Sequence, residues 1–170
     1  MDRQPTLIGA LVRLRPLVET DRAALYVVAS DPLIWEQHPA HDRWRPDVFA
    51  AFFDDALAKG GALAVEDAAT GALIGSSRFQ NHDPADGGSV EIGWTFLARS
   101  HWRCGVNRDM KRLMLDYALA SVARVLFTVG EGNARSIRAL EAIGARWTGE
   151  VEDRPMADGI TRHLRYFIER

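Results

Sequence analysis

Cysteine is almost missing from this chain. Cys104 is the only one, so no internal disulfide and no cysteine-built zinc cluster can form, a pattern that suits a reducing, cytoplasmic location. No apolar run is long enough to cross a bilayer, and the opening MDRQPTLIGALVRLRP lacks the layout of a signal peptide. Lysine is scarce beside arginine, and the arginines are scattered rather than blocked. With a net charge of −2, this leaves no general electrostatic case for nucleic acid or an anionic membrane as partner. Repeats, low-complexity tracts and linkers are absent too. The five histidines (His38, His41, His82, His101, His163) show no metal-ligand spacing and read as surface or packing residues, so no metal is expected. What is present is ordinary for one globular domain over residues 1–170, with 47% hydrophobic and 26% charged residues.

The hydrophobic pattern alternates between helix and strand periods. Leu11–Leu17 alternates apolar and basic residues and reads as a strand with one buried face. Thr20 is placed to cap a helix running to Ala29, and Asp31-Pro32 ends it. Pro46 opens a second helix, with Val48, Phe49, Phe52, Phe53, Ala56 and Leu57 at helical spacing and Gly60-Gly61 as its stop. Three strands follow, Ala62–Glu66, Leu73–Gln80 and Val90–Leu97, with a loop rich in turn formers over Asn81–Gly88. A long amphipathic helix comes next, then the apolar strand Val125–Val129. The helix Ala134–Ile143 is stopped by Gly144, and strands Arg146–Glu152 and Ile160–Ile168 flank the turn MADG. The expected fold is α/β (α+β), one mixed sheet with about four helices on its faces.

Two segments carry chemistry. In the first, the strand SVEIGWTFL feeds the turn ARSHWRCGV and then a helix that starts just after Gly105. The first N–H groups of a helix have no intrahelical acceptor, and the peptide dipoles add partial positive charge there, so a phosphate is a natural partner. Arg99, Arg103 and Arg108 surround the turn; the plain alternative is a strand–helix connection with solvated arginines. In the second, Val129-Gly-Glu-Gly-Asn133-Ala-Arg-Ser136 turns from a buried strand into a short helix. Asn133 there reads as an N-cap or as a group projecting into a cleft.

Taken together, the phrases VEIGW, HWRCGVNRDMKRLMLDYA and VGEGNARSIRALEAIGA resemble the GNAT superfamily of acyl-CoA-dependent N-acetyltransferases, in particular its RimJ/RimL-type branch. The resemblance spans nearly the whole chain and is strongest over Val90–Tyr117 and Val125–Gly144. It implies a mostly antiparallel sheet with one splayed strand pair, and acetyl-CoA as cosubstrate. The family's pyrophosphate loop, Gln/Arg-x-x-Gly-x-Gly/Ala, falls on Trp102-Arg103-Cys104-Gly105-Val106-Asn107. Gly105 matches, whereas Arg103 and Asn107 stand where small residues are usual. The resemblance further implies that Trp94, Phe96 and Leu97 line the cofactor with backbone N–H groups, and that Asn133 holds the pantetheine arm. It also makes Ser136 the proton donor to the thiolate, or a group that orients the sulfur, since the tyrosine that many members carry is here Leu140.

The chemistry also needs a base. Glu91, pointing opposite to Val90 and Ile92, is the candidate, against the alternative of a solvent-facing strand residue. Cys104 lacks an evident base partner and is suited at most to an incidental disulfide with CoA. The first two helices are expected to wall the acceptor pocket, with Trp35 near substrate. The implied activity is acetyl transfer to a primary amine, either a small molecule or a protein N-terminus, by direct attack in a ternary complex. A homodimer stays open as the assembly. The rivals are a non-catalytic acyl-CoA sensor of the same fold and a plain interaction domain whose loop arginines bind an acidic partner.

Overall fold

A computed structural model describes all 170 residues. Eight strands form one sheet in the order β1-β2-β3-β4-β5-β6-β8-β7. They are β1 (Leu7–Ile8), β2 (Val12–Pro16), β3 (Ala62–Asp67), β4 (Leu73–Asp83), β5 (Ser89–Leu97), β6 (Arg124–Gly130), β7 (Arg146–Met156) and β8 (Gly159–Glu169). The helices are α1 (Arg22–Ala29), α2 (Pro46–Lys59), α3 (Val106–Leu119) and α4 (Ala134–Ala142). Every neighbouring pair is antiparallel except β5–β6, which is parallel and therefore needs the crossover that α3 supplies. No helix is long and apolar enough to cross a membrane.

The element order expected from the sequence is present, with corrections at the edges. Thr20 caps nothing. The carboxylate of Asp21 accepts the Val18 N–H at 3.0 Å and pairs with Arg15, so a short 3-10 turn precedes α1. β4 runs three residues further than its apolar pattern, because Asn81 takes a positive φ of 50° and the chain continues extended past a register shift. β7 and β8 extend toward each other until only Ala157 and Asp158 separate them. Pro155 is tolerated there because β7 is the sheet edge. The two-residue β1 carries too little pattern to read.

The sheet buries a different kind of side chain on each face. Along β3, Leu63 and Val65 join the core beneath α3, with Met110 and Met114, whereas Ala62 and Ala64 face α1 and α2. The alanines leave room for the aromatic residues of the second core, Trp35, Phe49, Phe52, Phe53 and Phe96. In α2 the phenylalanines recur three and four residues apart and so share one face of the helix.

β5 contains the feature that shapes the middle of the molecule. Gly93 pairs with Arg78 and Phe96 with Ser76, so Trp94 and Thr95 together oppose Ser77 in a bulge. Trp94 takes φ +56°, a costly value for a residue with a Cβ. Its ring is fixed by a stacked contact with Phe52 at 5.6 Å and by the guanidinium of Arg78 at 4.6 Å. Beyond the bend, β5 no longer follows β6. Their pairing comprises Ser89↔Arg124, Val90↔Val125 and Glu91↔Leu126, and then stops.

Phe53 is fully buried in the α1/α2 core. Phe53→Ala is expected to cost about 3–5 kcal/mol in chemical denaturation. A loss below about 1 kcal/mol would show that this core is not packed as described.

Candidate active site

Where β5 and β6 part, a cleft of about 720 Å³ opens. One wall is Glu91–Leu97 of β5 and the other is Phe127–Gly130 of β6. The head of α4 and the segment around Trp35–His38 close it from the sides. The turn into α3 lies at one end, and Arg154 and His163 from β7 and β8 reach the cleft from the far side.

At the α3 end, Gly105 adopts φ +90° immediately before the helix, and no side chain caps the terminus. A Cβ there would stand 3.3 Å from Leu11 Cδ1, in a conformation that disfavours any side chain. The N–H groups of Val106, Asn107 and Arg108 have no acceptor within the helix. Arg103 and Asn107 border the cleft and leave it open. Val106 packs into the core, and Cys104 lies exposed outside the cleft with its thiol donating to the His101 carbonyl. Arg99 is not part of this cradle, being held by Asp31 at 2.5 Å. The bare helix terminus, the glycine and the free strand edge together fit the diphosphate and the amide-bearing arm of a CoA molecule.

The β5 residues divide by face. Glu91 is 5% exposed, opposite in direction to the buried Val90 and Ile92, and its Oε2 accepts from Asn81 Nδ2 at 2.8 Å. It is buried in the wall of the cleft. The ring of Trp94 turns toward α2. Phe96 is buried against Trp35 and Phe52, so it can meet a ligand only through its backbone. Leu97 is buried, and its carbonyl accepts the indole N–H of Trp102 at 2.9 Å. The other wall begins with Asn133, which caps α4: its Oδ1 accepts the Ser136 N–H at 3.2 Å. The Ser136 side chain lines the cleft one turn into the helix, and Leu140 is buried beyond it. Arg135 lies over the Trp102 ring at 4.2 Å and donates to the Ile34 carbonyl at 2.7 Å, tying α4 to the segment before α2.

Three cleft residues were not legible as such from the sequence. Lys111 belongs to an amphipathic helix whose charged positions read as solvated. In the fold it is 7% exposed, and its Nζ donates to Thr95 Oγ1 at 2.8 Å, which is itself 2.8 Å from Ser77 Oγ. Burial pulls its pKa down from 10.5 to about 7. His38 and His163, expected at the surface or in packing, both line the cleft. His38 accepts the Ala40 N–H through Nδ1 at 2.9 Å. Burial, reinforced by Arg43, His163 and Arg135, pulls its pKa to about 3, so its imidazole is neutral.

The architecture has many solved counterparts. A GCN5-related N-acetyltransferase from Brucella melitensis superimposes with a TM-score of 0.85 at 22% identity, covering 99% of this chain and 80% of that one. RimJ from Mycobacterium smegmatis, in complex with CoA-disulfide, gives 0.76 at 21% over 97% and 86%. Spermidine N-acetyltransferase from Vibrio cholerae, in complex with CoA and spermine, gives 0.73 at 18% over 95% and 96%. Comparison of the sequence with curated proteins gives no significant match.

The buried lysine has a consequence for stability. Lys111 binds its proton less tightly in the fold than in the unfolded chain, so the unfolded chain holds more protons between about pH 7 and 10.5 and stability rises across that window. Lys111→Met is expected to raise the melting temperature most at or below neutral pH and to flatten that rise. A variant no more stable than the parent near pH 6, with the slope unchanged, would contradict the burial of a charge at this position.

The model of the acetyltransferase (GNAT) domain matches residues 12–146, from β2 through α4 to the first residue of β7, and with it the chain is placed: it belongs to the GNAT family of N-acetyltransferases and uses acetyl-CoA as cosubstrate.

Proposed function

We propose that this enzyme acetylates the primary amine of a small molecule or a protein N-terminus by direct attack within a ternary complex, as a relative of the RimJ/RimL-type branch. The observation that carries the reading is a buried carboxylate, Glu91, in the wall of a cleft whose strand edge is unpaired. The structural likeness of the RimJ complex is consistent with the branch.

When bound, acetyl-CoA supplies an activated acetyl group and a thiol leaving group. The amides of Arg103–Asn107, with the Arg103 guanidinium, bind the diphosphate. Asn133 steadies the pantetheine arm at the head of α4. A backbone N–H on the open edge of β5, within Trp94–Leu97, takes up the negative charge that grows on the acetyl oxygen. Glu91 removes a proton from the incoming ammonium, directly or through water, so that the nitrogen lone pair is free to attack. The Ser136 hydroxyl returns a proton to the departing sulfur. A thiolate leaves readily, so this donation contributes less than holding amine and thioester in line. Residues of the α1–α2 side, Trp35 among them, form the acceptor side of the cleft.

Glu91→Gln keeps the size and the Asn81 contact but cannot take a proton. The expected result is unchanged acetyl-CoA affinity by isothermal titration and a fall in kcat of about 100- to 10,000-fold in a thiol-release assay. Unaltered turnover would remove Glu91 as the base. Ser136→Ala is expected to lower kcat less than Glu91→Gln does, and the reverse order would make the serine the principal proton-transfer group.

A further inference from the structure

The cleft holds a cation with no ion-pair or hydrogen-bond partner in the protein, which the neighbouring Asp42 favours only through space. Arg43 is 7% exposed and lies within an aromatic box, its guanidinium carbon 5.1 Å from the Trp35 ring, 4.8 Å from Phe52 and 5.0 Å from Trp94. It lines the cleft, yet no carboxylate or carbonyl accepts a hydrogen bond from its side chain. The three rings stabilise the charge, and no protein acceptor occupies the N–H donors of the fork. Beneath the box, Arg78 reaches Asp55 through Nη1 at 2.8 Å while its Nε and Nη2 have no partner, which adds positive potential to the same place. Burial of an arginine without an acceptor is expensive, and the guanidinium fork matches a carboxylate in two-point geometry.

The rest of the lining agrees. Six cationic side chains border the cleft (Arg43, Arg103, Lys111, Arg135, Arg138 and Arg154), against two carboxylates, Glu36 and Glu91. Arg103 belongs to the diphosphate end. Arg135 is engaged with the Ile34 carbonyl. Arg43 sits on the α2 side, where the acceptor is expected. The loop aspartates Asp42, Asp47, Asp83 and Asp86 all lie outside the lining, and only Asp42 acts on Arg43, from the adjacent position in the chain. A polyamine would therefore meet an arginine without a direct acidic partner where it needs an acid.

We propose that the acceptor is an amine that also carries a carboxylate, as an amino acid does, and that Arg43 binds this carboxylate while the amino group is presented to Glu91. Arg43 is then a specificity-determining residue of the acceptor site. The inference rests on the amine-acetylation reading above and gives it a substrate class.

The test compares matched acceptors in the thiol-release assay: alanine, glutamine and phenylalanine, each against its carboxamide, with spermidine alongside and rates referred to the unprotonated amine. Wild-type enzyme is expected to prefer at least one carboxylate form over its amide by about 10- to 100-fold in kcat/KM, the range for a hydrogen bond to a charged group. Arg43→Gln is expected to abolish that preference through KM, and Arg43→Lys to restore part of it. Equal or better use of every amide, or of spermidine, overturns the proposal. A second readout needs no turnover. Titration of the CoA-loaded protein with N-acetylalanine and with N-acetylalaninamide is expected to show tighter binding of the carboxylate in wild type and no difference in Arg43→Gln. Equal binding of the two in wild type overturns the Arg43 assignment, whereas selective binding with no acetylation of any amine supports Arg43 and instead sinks the proposed reaction.

Discussion

The parallel pairing of β5 with β6 ends after three residue pairs, and the site follows from that interruption. A parallel strand pair buried between helices would normally satisfy its backbone groups along its full length. Here a bulge at Trp94 adds a residue, turns β5 away and leaves its edge unpaired toward the cleft. The positive φ of Trp94 is an unfavourable local choice that persists because Phe52 and Arg78 hold the ring. The aromatic core under α2 thus does more than stabilise. It fixes the bend, and the bend exposes the backbone donors that a pantetheine chain and an acetyl oxygen can use.

Charge is distributed along the cleft with the same logic. The α3 terminus places uncapped amides and Arg103 at the end of the cleft proposed for the diphosphate. Deeper in, Lys111 is held between Thr95 and the Phe127 ring, and burial weakens its hold on its proton. On the α2 side Arg43 and Arg78 share the Trp94 ring, while His38 stays neutral among arginines. Glu91 is the one carboxylate of β5 in this setting. The cleft accordingly carries positive charge at both ends, with Glu91 between them as the carboxylate proposed for proton transfer.

Much of this was legible in the sequence because it depends on local rules. The apolar periods located the elements. Gly105 marked the turn into the long helix, Asn133 marked a helix cap, and the alternation Val90-Glu91-Ile92 put the carboxylate on the face opposite its apolar neighbours. What escaped depends on contacts distant in sequence. Lys111 looks like any charged position of an amphipathic helix until β5 bends across it. Arg43 sits in an irregular segment, and only α2 and β5 together build the box around it. Arg99 neighbours the phosphate turn in sequence, yet Asp31, 68 residues away in the chain, claims it. Thr20 lost the cap to Asp21 because Arg15 on β2 holds that carboxylate in place.

The most direct test of the account is a crystal structure of the enzyme with acetyl-CoA. The account predicts the thioester lying between β5 and β6 past Glu91, the pantetheine arm against the open edge of Trp94–Leu97, and the diphosphate on the amides around Gly105. Acetyl-CoA bound outside this cleft, or β5 and β6 paired continuously to Leu97, would contradict it.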